Sequence, residues 1–159
     1  MFAQTLYTGT REENYETVTQ QLEALITGEQ DMIANLSNAS ALLNQFLDDI
    51  NWVGFYLWKE NELVLVPFQG LPACIRIPSG RGVCGTAVEQ KITMLIENVH
   101  EFPGHIACDP QSKSEIVIPM IKNDEVIGVL DIDSPNYNRF DKIDETYLEK
   151  FVGTLMKQI

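Results

Sequence analysis

The sequence predicts an α+β domain whose mostly antiparallel sheet is flanked by helices. Two observations carry that expectation. Helix-period segments open and close the chain, and between them lie short β-prone runs joined by tight polar turns. Strands and helices do not alternate as the βαβ units of a parallel sheet would require. At 159 residues, with no repeat, low-complexity stretch or linker, one domain spanning 1–159 is expected.

Each element follows from local pattern. Tyr15, Val18, Leu22, Leu25 and Ile26 recur at helical spacing, so a helix is expected over Glu13 to Thr27, ended by Thr27-Gly28. A second is expected from Asp31 to Leu47, with Ile33, Leu36, Ala41, Leu42, Leu43, Phe46 and Leu47 on its apolar side. Trp52 to Trp58 and Leu63 to Phe68 are aromatic and β-branched runs that read as a hairpin across Lys59-Glu60-Asn61. Gln69 to Ile77 continues extended, punctuated by Gly70, Pro72 and Pro78. The loop Ser79-Gly80-Arg81-Gly82 leads into a short helix, Val83 to Gln90, and Thr93 to Ile96 reads as a strand. Asn98 to Lys113 contains Pro103, Gly104 and Pro110 and has almost no periodicity. A loop of this length inside a compact domain usually carries function. Two apolar strands follow, Ser114 to Ile121 and Glu125 to Asp133, joined by Lys122-Asn123-Asp124. A last helix runs from Lys142 to Lys157 with Asp141 as its N-cap.

Composition narrows the function classes. With 11 basic and 23 acidic side chains the net charge is −12, which opposes nucleic acid and anionic membrane surfaces. A hydrophobic content of 45% excludes a mainly disordered chain. No apolar run approaches the roughly 18 residues that a membrane-spanning helix needs. Met1 to Glu13 has no apolar core of an export signal, so a cytoplasmic protein is expected. There, three cysteines are not structural disulfide partners by default.

The chemistry-bearing residues fall into three groups. In Gly128-Val129-Leu130-Asp131-Ile132-Asp133, strand alternation puts Asp131 and Asp133 on one face with Ile127 and Val129. Glu115 stands in similar apolar company on the preceding strand. Three such acids suit a receptor for an ammonium group, one of them keeping a raised pKa as an acid. Alternatively they end their strands, wet, at a sheet edge. Nothing around them resembles a calcium loop or a phosphate cradle, and no metal is expected. The cysteines are Cys74, Cys84 and Cys108, spaced without a C-x-x-C pair, which disfavours zinc even with His105 near Cys108. Cys84, in the first turn of a helix beside Arg81, is expected to favour its thiolate. Cys84 and Cys108 are equal candidates for an attacking thiol. Gly80-x-Gly82-x-x-Gly85 lacks the βαβ setting of a dinucleotide site. Finally, Trp52, Gly54, Tyr56 and Trp58 share one strand face, as core filling or as an aromatic wall around a small ligand.

Taken together these segments resemble a known family. Asn51-Trp52-Val53-Gly54-Phe55-Tyr56, Gly70-Leu71-Pro72-Ala73-Cys74-Ile75-Arg76-Ile77, Gly80-Arg81-Gly82-Val83-Cys84-Gly85, Phe102-Pro103-Gly104-His105-Ile106-Ala107-Cys108-Asp109, Ser114-Glu115-Ile116-Val117 and Gly128 to Pro135 are similar to the free methionine-R-sulfoxide reductases, stand-alone GAF-domain enzymes. The likeness covers nearly the whole chain. It departs mildly only at Pro78-Ser79, where a bulkier residue is expected before Gly80. The resemblance implies a GAF fold with about six strands and reduction of the R epimer of free methionine sulfoxide, without a cofactor. It implies Cys108 as nucleophile, Cys74 as the principal resolving thiol and Cys84 as an accessory one. It implies Glu115, Asp131 and Asp133 as the acids that bind substrate and assist oxygen departure, and Trp52 and Tyr56 as the wall for the substrate methyl group. It names thioredoxin as reductant, and dimers are common among such domains. We expect backbone amides of Gly104–Asp109 to hold the substrate carboxylate. The alternative is a GAF module that binds a small ligand or senses redox state without catalysis.

Overall fold

The structure, a computed structural model, describes residues 3–159. Met1 and Phe2, part of the stretch read for an export signal, lie outside the described residues. Helices α1 (Arg11–Ile26) and α2 (Met32–Phe46) precede β1 (Trp52–Lys59), β2 (Glu62–Gly70) and β3 (Arg76–Pro78). Then come α3 (Gly82–Gln90), β4 (Met94–Ile96), β5 (Ser114–Lys122), β6 (Glu125–Ser134) and α4 (Lys142–Met156). The boundaries agree with those expected to within two residues, except that of the extended run expected over Gln69 to Ile77 only its end forms the separate strand Arg76–Pro78. The long loop carries one element that periodicity does not reveal, a 3-10 turn at Val99–Glu101 capped by the Asn98 side chain. Three residues are too few to show a period.

Helix starts are fixed by side chains. Thr10 Oγ1 accepts from Glu13 N at 3.2 Å while the Glu13 carboxylate accepts from Thr10 N at 2.9 Å, a reciprocal capping box. Asp141 and Asp144 repeat the arrangement at α4.

All pairs in the six-stranded sheet are antiparallel, in the order β3-β2-β1-β6-β5-β4. Alternation then divides the side chains between two layers. Val53, Phe55 and Leu57 of β1, Ile116, Ile118 and Met120 of β5, and Leu130 and Ile132 of β6 face α1, α2 and α4 in the larger core. Trp52 and Tyr56, Val117 and Val129 face the opposite side, where α3 supplies Val83, Cys84, Ala87 and Val88. One alternation fails. Ile127 was expected beside Val129, yet it packs in the larger core while Val126 takes the other face. The cause is a bulge in β6 itself: Met120 pairs with Gly128 and Ile121 with Val126, which leaves Ile127 as the extra residue without a β5 partner.

Two helices of the larger core, α1 and α4, are joined at one polar point. Tyr15 Oη donates to Asp144 Oδ1 at 2.6 Å, and Arg11 Nη2 and Arg139 Nη1 approach the same carboxylate at 3.0 and 3.5 Å. Asp144 is 1% exposed. Replacing Asp144 with Ala strands the Tyr15 hydroxyl in the core and removes the shared partner of both arginines. Arg11, half exposed, regains water, so the expected loss is about 1–3 kcal/mol. Urea denaturation checks it, and Tyr15→Phe recovers part of the loss in the Asp144→Ala background because it removes the orphaned hydroxyl.

Candidate active site

The site is built on the α3 face of three central strands. Because β6 lies between β1 and β5, each residue from Gly128 to Asp133 has a partner on both sides. Asp133 is opposite Trp52 on β1 and Glu115 on β5, and Asp131 is opposite Gly54 and Val117. Register alone therefore brings Glu115, Asp131 and Asp133 together with Trp52. The sheet-edge alternative is excluded, since β6 is central and Glu115 and Asp131 are 6% and 7% exposed.

Burial decides the protonation of this cluster. Burial first, then the neighbouring Asp131 and Asp133 charges, push Glu115 well above the usual carboxylate range. Asp133 is likewise pushed well up, by burial and then by Asp131. Asp131 rises less, to about 6, because burial is offset by hydrogen bonds that Glu115 and Cys84 donate to it. A protonated Glu115 beside an ionised Asp131 is the arrangement that results. One Asp131 oxygen, Oδ1, is buried with no hydrogen-bond partner.

Cys84 corrects an expectation. Its place in the first turn of α3 was expected to favour the thiolate, but the side chain is buried, 4.0 Å from Glu115 Oε1. Burial and the adjacent Asp131 and Glu115 push its pKa well up. The helix dipole, a fraction of a charge, loses to desolvation plus two acids. Cys84 is thus a poor attacker. One ligand atom each from Cys84, Glu115 and Asp131 lies within 4.8 Å of the others, so a metal there would meet a mixed sulfur–oxygen set.

The remaining cysteines come from two loops, both tied to β1. Trp52 Nε1 donates to Leu71 O at 3.1 Å and Tyr56 Oη to Cys74 O at 3.0 Å, holding the segment between β2 and β3. Asn51 Nδ2 donates to Asp109 Oδ2 at 2.9 Å and to Ser112 Oγ at 3.0 Å, holding the loop before β5. Cys74 and Cys108 are joined by a disulfide, their Cα atoms 5.8 Å apart, and Cys84 is free. Trp52 also stacks on Tyr56 and Phe68, with centroids 6.0 and 5.1 Å away.

A cleft with about 550 Å³ of empty space, its mouth included, unites these parts. Trp52, Tyr56, Cys84, Cys108, Glu115, Asp131 and Asp133 line it, while Cys74 stands outside its wall, reached through Cys108. The aromatics are therefore both core and wall. Sequence reasoning passes over Asn51, Asp109 and Ser112. The only signal for them is a polar residue directly ahead of an aromatic run and two more beside a cysteine. The arrangement offers a thiol, a second thiol able to bond it, and carboxylic acids that keep a proton near neutrality.

Among the described residues no helix is long and apolar enough to cross a membrane. A GAF-domain profile matches residues 11–159. Protein YtsP of Bacillus subtilis is 55% identical over 100% of this chain and 99% of its own. The free methionine-R-sulfoxide reductase of Escherichia coli is 52% identical over 91% of this chain and 88% of its own. The X-ray structure of free methionine-R-sulfoxide reductase from Neisseria meningitidis in complex with its substrate superimposes with a TM-score of 0.94 at 42% identity, covering 99% of this chain and 95% of that one. The chain belongs to the GAF-domain family and, within it, to the free methionine-R-sulfoxide reductases.

Proposed function

We propose that this protein reduces free methionine-R-sulfoxide to methionine, with Cys108 as the attacking thiol. The observation that carries the reading is Cys108, bonded to Cys74, in the wall of the cleft that Glu115, Asp131 and Asp133 also line. The Cys108 thiolate attacks the sulfoxide sulfur. The oxygen can leave that sulfur only with a proton, which the protonated Glu115–Asp131–Asp133 cluster supplies. The hydroxide so released, or a water, bonds to Cys108 Sγ as the bond between the two sulfurs breaks, so methionine departs with that electron pair and Cys108 becomes a sulfenic acid. Cys74 condenses with it, forming the disulfide and releasing water. An external dithiol, thioredoxin by family resemblance, returns both thiols by exchange, as a reducing cytoplasmic setting allows. The remaining charge of the cluster suits the α-ammonium of the free amino acid. Trp52 and Tyr56 present apolar surface to the methyl group.

The first test supplies the reduced protein with thioredoxin, thioredoxin reductase and NADPH. It compares the R epimer, the S epimer and N-acetylated R sulfoxide. NADPH consumption with the free R epimer alone is expected. Equal use of the acetylated form would remove the ammonium-receptor role from the acids. No turnover, with small-ligand binding intact, would move the protein to the sensor class.

Cysteine variants separate the thiol roles. Cys108→Ser should release no methionine even in a single turnover. Cys74→Ser should release about one methionine per enzyme and then stop, because its sulfenic acid lacks a partner. Steady turnover by Cys74→Ser would transfer the resolving role to Cys84.

The acid cluster makes a signed prediction on pH. An acid whose pKa is higher folded than unfolded keeps its proton longer in the folded state. Stability is therefore lost as pH rises from the unfolded value, about 4.3 for Glu, through the folded one. Glu115→Gln should melt higher than the parent, by a margin that widens from pH 5 to pH 8. Its single-turnover rate should drop roughly 10²- to 10⁴-fold and lose the parent's decline at high pH. A melting difference independent of pH would contradict the raised pKa, and an unchanged rate would remove Glu115 from proton delivery.

A further inference from the structure

A free amino acid also brings a carboxylate, and on the reductase reading something in the cleft must hold it. The wall contains four acids, Asp109, Glu115, Asp131 and Asp133, and two basic side chains: Arg81, a cation, and His105, which burial and nearby His100 hold toward its neutral form, a hydrogen-bond donor. An anion placed among the acids alone would be repelled. Arg11, Arg76 and Arg139 are all committed to carboxylates elsewhere. Arg81, exposed where the cleft meets solvent, has neither an ion pair nor a side-chain hydrogen bond among the described residues, in a chain of 23 acids. His105 Nδ1 is buried and unpartnered. Gly82, Val83 and Cys84 open α3 in the cleft wall with no side-chain cap on their amides. The two basic residues flank one contact, because a Cβ at Gly82 would lie 3.2 Å from Ile106 Cδ1. The turn at 81–82 thus packs on the segment at 105–106.

We propose that Arg81, with His105 as a second donor, forms the subsite for the substrate α-carboxylate and thereby selects the free amino acid. The cleft is then bipolar, with acids for the ammonium end and a guanidinium for the carboxylate end. A guanidinium fits a carboxylate bidentately, as an ammonium does not. The loop amides expected from sequence are partly spent, since His105 N and Cys108 N already bond Phe102 O and Ile106 O.

The test uses the full, reduced protein and two substrates, methionine-R-sulfoxide and its C-terminal amide, which keeps the ammonium but not the carboxylate. The parent should show a KM roughly 10- to 100-fold higher for the amide. Arg81→Gln should raise KM for the acid by a similar factor, leave the amide's KM in place and change kcat by less than about two-fold, so that discrimination disappears. Arg81→Lys should restore part of it, and His105→Gln should lose a smaller share. Full discrimination in Arg81→Gln would return the carboxylate to the loop amides and overturn the inference, as would a fall in kcat at constant KM. Discrimination untouched in His105→Gln would remove His105 from the subsite. Calorimetric binding of methionine and methioninamide to the same proteins separates this inference from the reductase reading. Carboxylate-dependent binding through Arg81 without sulfoxide reduction would sustain the subsite and overturn the reaction. Reduction with no Arg81 dependence would do the reverse, and a parent that neither binds nor turns over would overturn both.

Discussion

Three carboxyl groups on the apolar face of a sheet are the constraint around which this molecule is organised. An uncompensated buried carboxylate costs several kcal/mol, and no ion pair among the described residues reaches Glu115, Asp131 or Asp133. The cluster meets that cost by keeping protons, chiefly on Glu115 and Asp133, and by hydrogen bonding among its members. The stability it lacks is supplied on the other face of the same strands. There Val53, Phe55, Ile116, Ile118, Leu130 and Ile132 pack against three helices with almost no polar interruption. The sheet separates a layer that holds the fold from a layer that holds a strained charge arrangement, and strand alternation keeps the two apart.

Strand β1 connects that charge arrangement to the thiols. Trp52 and Tyr56 anchor the Cys74 segment through an indole N–H and a phenol, and Asn51, one residue before the strand, anchors the Cys108 loop. Three residues within a stretch of six therefore set where both cysteines can be. The Cys108 loop also reaches the acids, because Ser112, which accepts from Asn51, lines the same cleft as Asp133. Both loops lack regular backbone ladders, so these few bonds set the distance between the sulfurs. A rigid strand that positions two loops is the usual way for a scaffold to place reacting groups.

Much of this was legible in the sequence because it is local or periodic. The helices show their caps and apolar stripes, and alternation alone placed Asp131 with Asp133 and Trp52 with Tyr56 on single faces. Where the reading failed, the deciding neighbour was remote in sequence. Ile127 changed face because it is the extra residue where β6 pairs with β5, a mismatch that only the pairing with the other strand reveals. Cys84 was judged from its own helix, whereas its environment is set by Glu115 and Asp131, 31 and 47 positions away. Asn51, Asp109 and Ser112 carry no pattern at all, since a lone polar residue near a turn looks like any solvated one. The identity of the bonded cysteine pair came from family resemblance, because spacing left Cys84 and Cys108 equal.

That equality is broken by electrostatics rather than by reach. Cys84 sits against the acids, where its deprotonation would place a second negative charge beside ionised Asp131 in a buried group of ionisable side chains. The same field that suits an ammonium group keeps this thiol protonated, and a protonated thiol neither attacks nor resolves quickly. Cys108 lies in the cleft wall on a loop, and Cys74 stands behind it, outside the wall. One set of carboxyl groups can therefore serve three ends: it suits an ammonium group, retains a proton for a departing oxygen, and keeps protonated the cysteine that touches it. On the proposed function the thiol chemistry falls to Cys74 and Cys108, whose two loops are anchored by Asn51, Trp52 and Tyr56.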